Sequence, residues 1–175
     1  MNIFVTNISP VIAAKELCDQ HCRSKMQIES AILLQHCFDN STLLTAPKTQ
    51  KGAARKAGGG YFNHPCAVWV RKTKQNFLWL VEHALAMFNE RDYRWPSSKE
   101  HFTKNFIDWC GNNSNKTKFC PDGQLTEFAV AINQDMNCRK IPGFSQLSII
   151  EQYQQYIKLD KPFATWTKRN KPSWY

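Results

Sequence analysis

Three side chains suited to chemistry recur at one spacing. His21, Lys25 and Glu29 stand at i, i+4 and i+8, so a continuous helix would align an imidazole, an ammonium and a carboxylate on one stripe. A partly shielded carboxylate on such a stripe can serve as a general acid or base. The same spacing also suits an ordinary Lys–Glu surface pair, worth about 0.2–0.5 kcal/mol. Cys18, His21 and Cys22, with His36 and Cys37 further on, offer thiolates and imidazoles of the kind that hold zinc tetrahedrally. Small buried thiols in a helix give the same Cys-x-x-x-Cys pattern, so packing is the reading adopted, with no metal and no cofactor expected. The seven cysteines are odd in number, irregularly spaced and lack a Cys-x-x-Cys pair, which predicts reduced thiols. Gly58-Gly59-Gly60 lacks the Gly-Lys-Ser/Thr ending that would set a lysine on a nucleotide's phosphates, so no nucleoside-triphosphate site is expected.

Charge points to a polyanionic partner. The 175 residues carry 23 Lys and Arg against 14 Asp and Glu, a net charge of +9. No acid lies between Asp39 and Glu82, a stretch that holds Lys48, Lys51, Arg55, Lys56, Arg71, Lys72 and Lys74. The C-terminal end holds Lys158, Lys161, Lys168, Arg169 and Lys171, with Asp160 as its acid. Lysine and arginine neutralise phosphates and release condensed counterions. Interleaved with Tyr61, Phe62, Trp69, Trp166, Trp174 and Tyr175, these segments suit a nucleic-acid surface, and a solubilising face is the competing reading. The longest apolar runs are a handful of residues, far from the roughly 20 that a membrane-spanning helix requires. With no basic segment followed by an apolar stretch at the start, a cytoplasmic location is expected.

The elements that must position these residues read as helices. A short extended stretch over residues 2–8 precedes Ser9-Pro10, a cap and first turn from which a helix should run to about Asp19. Met26, Ser30, Leu33 and Cys37 follow the helical period, predicting a second helix from Asp19 to Phe38. Residues 45–60 read as a mobile basic loop. Asn63-His64-Pro65 opens a helix, with Asn63 as its cap. A longer one follows, with Phe77, Leu80, Val81, Ala84, Leu85 and Phe88 on its buried stripe and Trp79 beside His83. Arg91–Ser98 reads as a break, Phe102, Phe106 and Trp109 as another helix, and residues 111–124 as a polar connection. A last long helix carries Ile149, Ile150, Tyr153, Tyr156 and Ile157, ahead of a basic aromatic tail at 168–175. The expected fold is a single all-α domain with a short extended N-terminus. Trp69, Trp79 and Trp109 are expected in its core, and His36, His83 and His101 receive no role.

Several separated segments resemble the pyrimidine-dimer DNA glycosylases of phages and bacteria. Asp19 followed ten positions later by Glu29 is similar to that family's Asp and helical catalytic Glu. Gly60-Tyr61-Phe62-Asn63-His64-Pro65 resembles the Gly-Tyr-x-Asn-His-Pro of its bacterial members. Arg91-Asp92-Tyr93-Arg94-Trp95 with Ser98-Lys99 resembles their Arg-Gly-Tyr-x-Phe and Ser-Lys, and Pro172-Ser173-Trp174-Tyr175 resembles a C-terminal Pro-x-Trp-Tyr of phage members. Asn63-His64-Pro65-Cys66 with Trp69 is also similar to a segment shared by a group of short phage proteins. The resemblance touches the first 100 residues and the last few.

What the resemblance implies is an all-α base-excision enzyme. The chain's own α-amine attacks C1′ of the damaged nucleotide and forms an imine as the base leaves, while the helical Glu manages protons. α-Amino groups as a class, with a reference pKa of about 7.7–8.0, keep a useful neutral fraction near neutral pH. Two positions depart from the family: Asn2 should block removal of Met1, which makes the Met1 amine the nucleophile, and the Arg before the catalytic Glu is Ile28. The implied catalytic residues are Glu29 and Met1. The implied partner is double-stranded DNA, held by His21, Lys25, Lys51, Arg55, Asn63, His64, Arg71, Lys168, Arg169, Trp174 and Tyr175. A non-enzymatic phage DNA-binding or host-interaction protein on the same scaffold is the alternative.

Overall fold

In the computed structural model, which describes residues 1–96 and 99–175, the first helix starts where its capping residues require. Ser9 Oγ accepts the Ile12 amide at 3.4 Å and Pro10 fills the first turn, giving α1 (Pro10–Glu16). It stops short of the expected Asp19 because Leu17 turns extended, and the freed carbonyls of Lys15 and Leu17 are taken by the Arg94 guanidinium at 2.7 and 2.8 Å.

The single helix expected from Asp19 to Phe38 is two helices, α2 (Asp19–Cys22) and α3 (Lys25–Gln35), parted where Ser24 leaves helical geometry at φ −162° and ψ −37°. Long-range partners hold the break. The Asp19 carboxylate is drawn to Thr165, Thr167 and Arg94, and the buried Gln27 amide donates to the Cys22 carbonyl. A further turn, α4 (Asn40–Leu43), is capped by Asp39, whose carboxylate accepts the Thr42 amide at 2.7 Å.

The basic loop that follows is pinned at several points. Gly58 N–H donates to His36 at 3.2 Å, Ala57 N–H to Asn40 at 2.8 Å, and Arg55 lies over the Phe106 ring at 3.7 Å while donating to the Pro47 carbonyl. In α5 (Pro65–Lys72) the cap is His64, whose ring accepts the Cys66 amide at 3.2 Å, while the expected cap Asn63 stays exposed.

Thr73 ends α5 and caps α6 (Lys74–Arg94), the axis of the fold. Its 21 residues span roughly 31 Å at 1.5 Å each, and α1, α2, α3, α5 and α7 (Lys104–Asn112) all pack on it. It is buried on most of its circumference: Phe77, Leu80, Ala84, Met87 and Phe88 pack inward, and polar Asn76, His83, Glu90 and Arg94 are buried with partners. Each fully buried Leu or Phe contributes roughly 1.5–3 kcal/mol. Trp79 and His83 do stack, at 4.9 Å. The helix runs on through Arg91 to Arg94, so the expected break starts only at Trp95, and Ser98 lies outside the described residues.

Beyond α7 the chain recrosses the bundle, where the Lys118 and Phe119 amides meet the Cys37 carbonyl, and residues 124–133 run without helix and without pairing into a sheet, up to a turn at 134–136. A capping box of Ser148 and Glu151 starts α8 (Ile149–Asp160). The tail then packs on its own small cluster of Cys18, Ile157, Ala164 and Trp166. Eight α-helices and no strands are present among the described residues, so the fold is all-α.

Candidate active site

The N-terminal arm is threaded into the protein. Asn2, Ile3, Phe4, Val5 and Thr6 are all buried. Asn2 is clamped by α8 and the extended segment: Tyr153 Oη donates to its Oδ1 at 2.7 Å, and its Nδ2 donates to the Ala131 carbonyl at 3.0 Å. The Ala131 amide donates in turn to Tyr153 Oη at 3.0 Å. Phe4 has φ +54°, a region that bulky residues seldom enter. Its ring is wedged between His21, stacked at 4.1 Å, and Tyr156 at 5.6 Å.

This arm delivers the first residues to Glu29. From the middle of α3, Glu29 Oε2 accepts the Asn2 backbone N–H at 2.7 Å, and Oε1 lies 4.0 Å from Lys25 Nζ. The carboxylate is 13 % exposed and its lysine partner 70 %, so one end of the ion pair is sheltered and the other wet. Met1, Asn2, Phe4, Lys25, Glu29, His64 and Tyr156, with Ala131, Ile132, Asn133 and Met136, line one cleft of about 300 Å³. No ion pair joins the Met1 amine to a carboxylate among the described residues; the close contact of Glu29 is one peptide unit away, at Asn2.

His64 completes the cleft. Burial pulls its pKa below the ordinary histidine value; the positive α-amine of Met1 adds to this and Glu29 opposes it. Its Nδ1 accepts the Cys66 amide, so the neutral ring carries its proton on Nε2 and offers a donor. The cleft therefore combines an amine, a sheltered carboxylate, a lysine and an imidazole donor, the parts that nucleophilic attack with proton management requires.

Of the residues singled out from the sequence, Met1, Lys25, Glu29 and His64 share this cleft. His21 does not: it is 3 % exposed, stacks beneath Phe4, and burial drives its pKa down to about 3, so it stays uncharged and forms a wall. The helix break at Ser24 is why the predicted stripe keeps only Lys25 and Glu29. Asn63 is exposed just before α5. Lys51 and Arg55 line a separate groove beside α3, and Arg71 lies over the Phe62 ring at 3.7 Å. Arg169 is engaged with Glu90 at 2.6 and 3.0 Å, Lys168 Nζ donates to the Tyr93 carbonyl, and Trp174 and Tyr175 pack against the tail's own cluster. Asp19 is a structural tie between α2, α6 and the tail.

Asn2, Phe4, Asn133, Met136 and Tyr156 join the cleft without a signal in the sequence, since each arrives by a contact between distant parts of the chain. Seven cysteines are free and buried. No group of three or more His, Cys, Asp or Glu side chains among the described residues is placed to hold a metal ion. Compared with protein-family models, curated proteins and solved structures, the chain matches none.

Proposed function

We propose that the chain is a DNA base-excision glycosylase with an associated AP-lyase step, acting on a damaged or modified pyrimidine in duplex DNA through its N-terminal amine. The observation that carries this reading is the delivery of the chain's first residues to a sheltered carboxylate, with Glu29 Oε2 at 2.7 Å from the Asn2 nitrogen and Met1 lining the same cleft. A cleft of about 300 Å³ is at the lower end of small-molecule pockets, a size suited to one extruded nucleotide.

In this reading the neutral Met1 amine attacks C1′. The glycosidic bond breaks, its electron pair leaves with the base, and the base takes up a proton. The attached nitrogen gives a proton to ionised Glu29, the sugar O4′ accepts one as the ring opens, and an imine links the chain to C1′. Removal of a C2′ proton then expels the 3′ phosphate, and water releases the protein. Lys25 and the His64 Nε2–H, which line the same cleft, hold the flanking phosphates in this reading. Asn2 favours retention of Met1; were Met1 removed in the cell, the nitrogen held by Glu29 would itself be the α-amine, and the intact mass distinguishes the two.

The test is incubation of tag-free protein with duplexes carrying an abasic site, a cyclobutane dimer or a panel of modified pyrimidines. Strand cleavage at one of these is expected, at least about 100-fold slower in Glu29→Gln with binding retained. Binding with neither strand cleavage nor base release, the latter read as alkali-labile sites, on any substrate would overturn the enzymatic reading and leave the DNA-binding alternative.

A further inference from the structure

A second cleft lies at the start of α3. About 370 Å³ in volume, it is lined by Arg23, Ser24, Arg91, Trp95, Pro96 and His101, and it takes up the Arg91–Trp95 segment for which the proposed reaction has no use. The Arg23 side chain makes no ion pair or hydrogen bond among the described residues, and its guanidinium lies over the Trp95 ring at 5.6 Å. It is thus a charged fork supported on an aromatic face with its donors open.

Arg91, from the last turn of α6, faces the same space. Its partner is Asp92, its own neighbour, at 2.8 Å with the carboxylate 57 % exposed, and such an exposed pair is readily exchanged for a stronger anion. The cleft floor is neutral. His101 is fixed between the Ser24 and Thr103 hydroxyls at 2.9 and 2.8 Å, and burial, with help from the Arg91 charge, holds its pKa down to about 4. The charge at the cleft is therefore that of the two guanidinium groups, offset in part by the Asp92 carboxylate beside Arg91, which also opposes the lowering at His101.

Position links this cleft to the first. Arg23 lines one and Lys25 the other, and with two residues of chain spanning at most about 7 Å both clefts lie within reach of neighbouring nucleotides of one strand. We propose that the Arg23–Arg91 cleft holds a backbone phosphate of the same DNA strand whose nucleotide enters the Glu29 cleft. This rests on the DNA reading given above and adds to it a phosphate site on residues that basic runs in the sequence did not mark.

The experiment is fluorescence anisotropy of a labelled duplex carrying a tetrahydrofuran abasic analogue, with full-length tag-free protein titrated at several salt concentrations. Arg23→Gln and Arg91→Gln are compared with Lys116→Gln, an equal loss of charge on the exposed turn that follows α7, outside both basic segments and both clefts, and thermal melts establish that each variant is folded. Arg23 is exposed, so its substitution alone keeps the test decisive if Arg91→Gln fails to fold. For each arginine removed, the slope of log affinity against log salt should become shallower by about 0.9, and Lys116→Gln should keep the wild-type slope. Wild-type binding with unchanged slopes in the arginine variants, or an equal change in Lys116→Gln, overturns this site and leaves the DNA reading standing. No binding by the wild type at low salt overturns both.

Discussion

Glu29 is held by a donor on the chain's own N-terminal arm as well as by a cation on its own helix, and the two partners differ in kind. The Lys25 ammonium is mostly in water at 4.0 Å, whereas the Asn2 amide is a short, sheltered contact at 2.7 Å. Glu29→Gln keeps an oxygen for that amide and removes the base, so the fold should survive while chemistry fails. The arm itself depends on Tyr153, which donates to Asn2 and accepts from Ala131. Tyr153→Phe leaves buried groups without partners, an expected loss of about 1–3 kcal/mol in urea unfolding. If the arm positions the nucleophile, the same variant should also lower the cleavage rate on the order of 10²-fold with unchanged DNA affinity. A stability loss with a wild-type rate would mean that the clamp serves folding alone. Glu29, Lys25, Met1 and His64 are legible in the sequence as reactive types. Asn2 and Tyr153 are not, because a clamp between residues 2 and 153 leaves no local pattern.

Helices that announce their own ends are readable in the sequence, and those ended by distant partners are not. Ser9-Pro10 and the proline at the start of α5 are local signals, and the apolar stripe of α6 fixes its face without reference to anything else. The break between α2 and α3 has neither glycine nor proline; it exists because Asp19 is drawn toward Thr165, Thr167 and Arg94, all far along the chain. The stripe expected through His21 fails for that reason, and the four-residue α4 is too short to show a period. Arg94 is the residue that turns these separate helices into one assembly. Its guanidinium is fully buried, closes the end of α1, and pairs with Asp19 and Glu90, while Glu90 is shared with Arg169 of the tail. Arg94→Ala should cost about 3–5 kcal/mol in urea unfolding, since it strands buried carboxylates and carbonyls. Arg94→Lys should recover little, because an ammonium cannot match the fork. A loss under about 1 kcal/mol for Arg94→Ala would show that water replaces it.

The whole molecule combines a positive surface with an interior that keeps its histidines uncharged. Burial lowers His21 to about 3, with Lys161 and Lys25 adding to the effect, and lowers His83 to about 4. Unfolded, each titrates near about 6.5, so below that pH the unfolded chain binds more protons than the folded one. Stability is therefore highest above about pH 6.5 and falls as the solution is acidified, by up to about 1.4 kcal/mol per pH unit for each of the two histidines. Asp39, held down to about 2 by Thr42 and Ser41, acts in the same direction at lower pH, because its stabilising charge is lost as pH falls through the carboxylate range. Urea unfolding at about pH 7.5 and 5 checks this; equal stability at the two would contradict it. The +9 charge is evident from composition, yet its distribution is not: several cations of the basic runs are stacked on aromatic rings or tied to carbonyls and Glu90, while Arg23, outside those runs, stands open.

At the centre of the proposed reaction, the chain's own α-amine becomes covalently joined to DNA beside Glu29. Borohydride trapping tests this most directly: tag-free protein is incubated with an abasic duplex under reduction, and the adduct is located by peptide mass spectrometry. The expected product is a one-to-one adduct on the N-terminal peptide, lost when the α-amine is acetylated and strongly reduced in Glu29→Gln. No adduct, or an adduct on a lysine such as Lys25 with the N-terminal peptide unmodified, would contradict it.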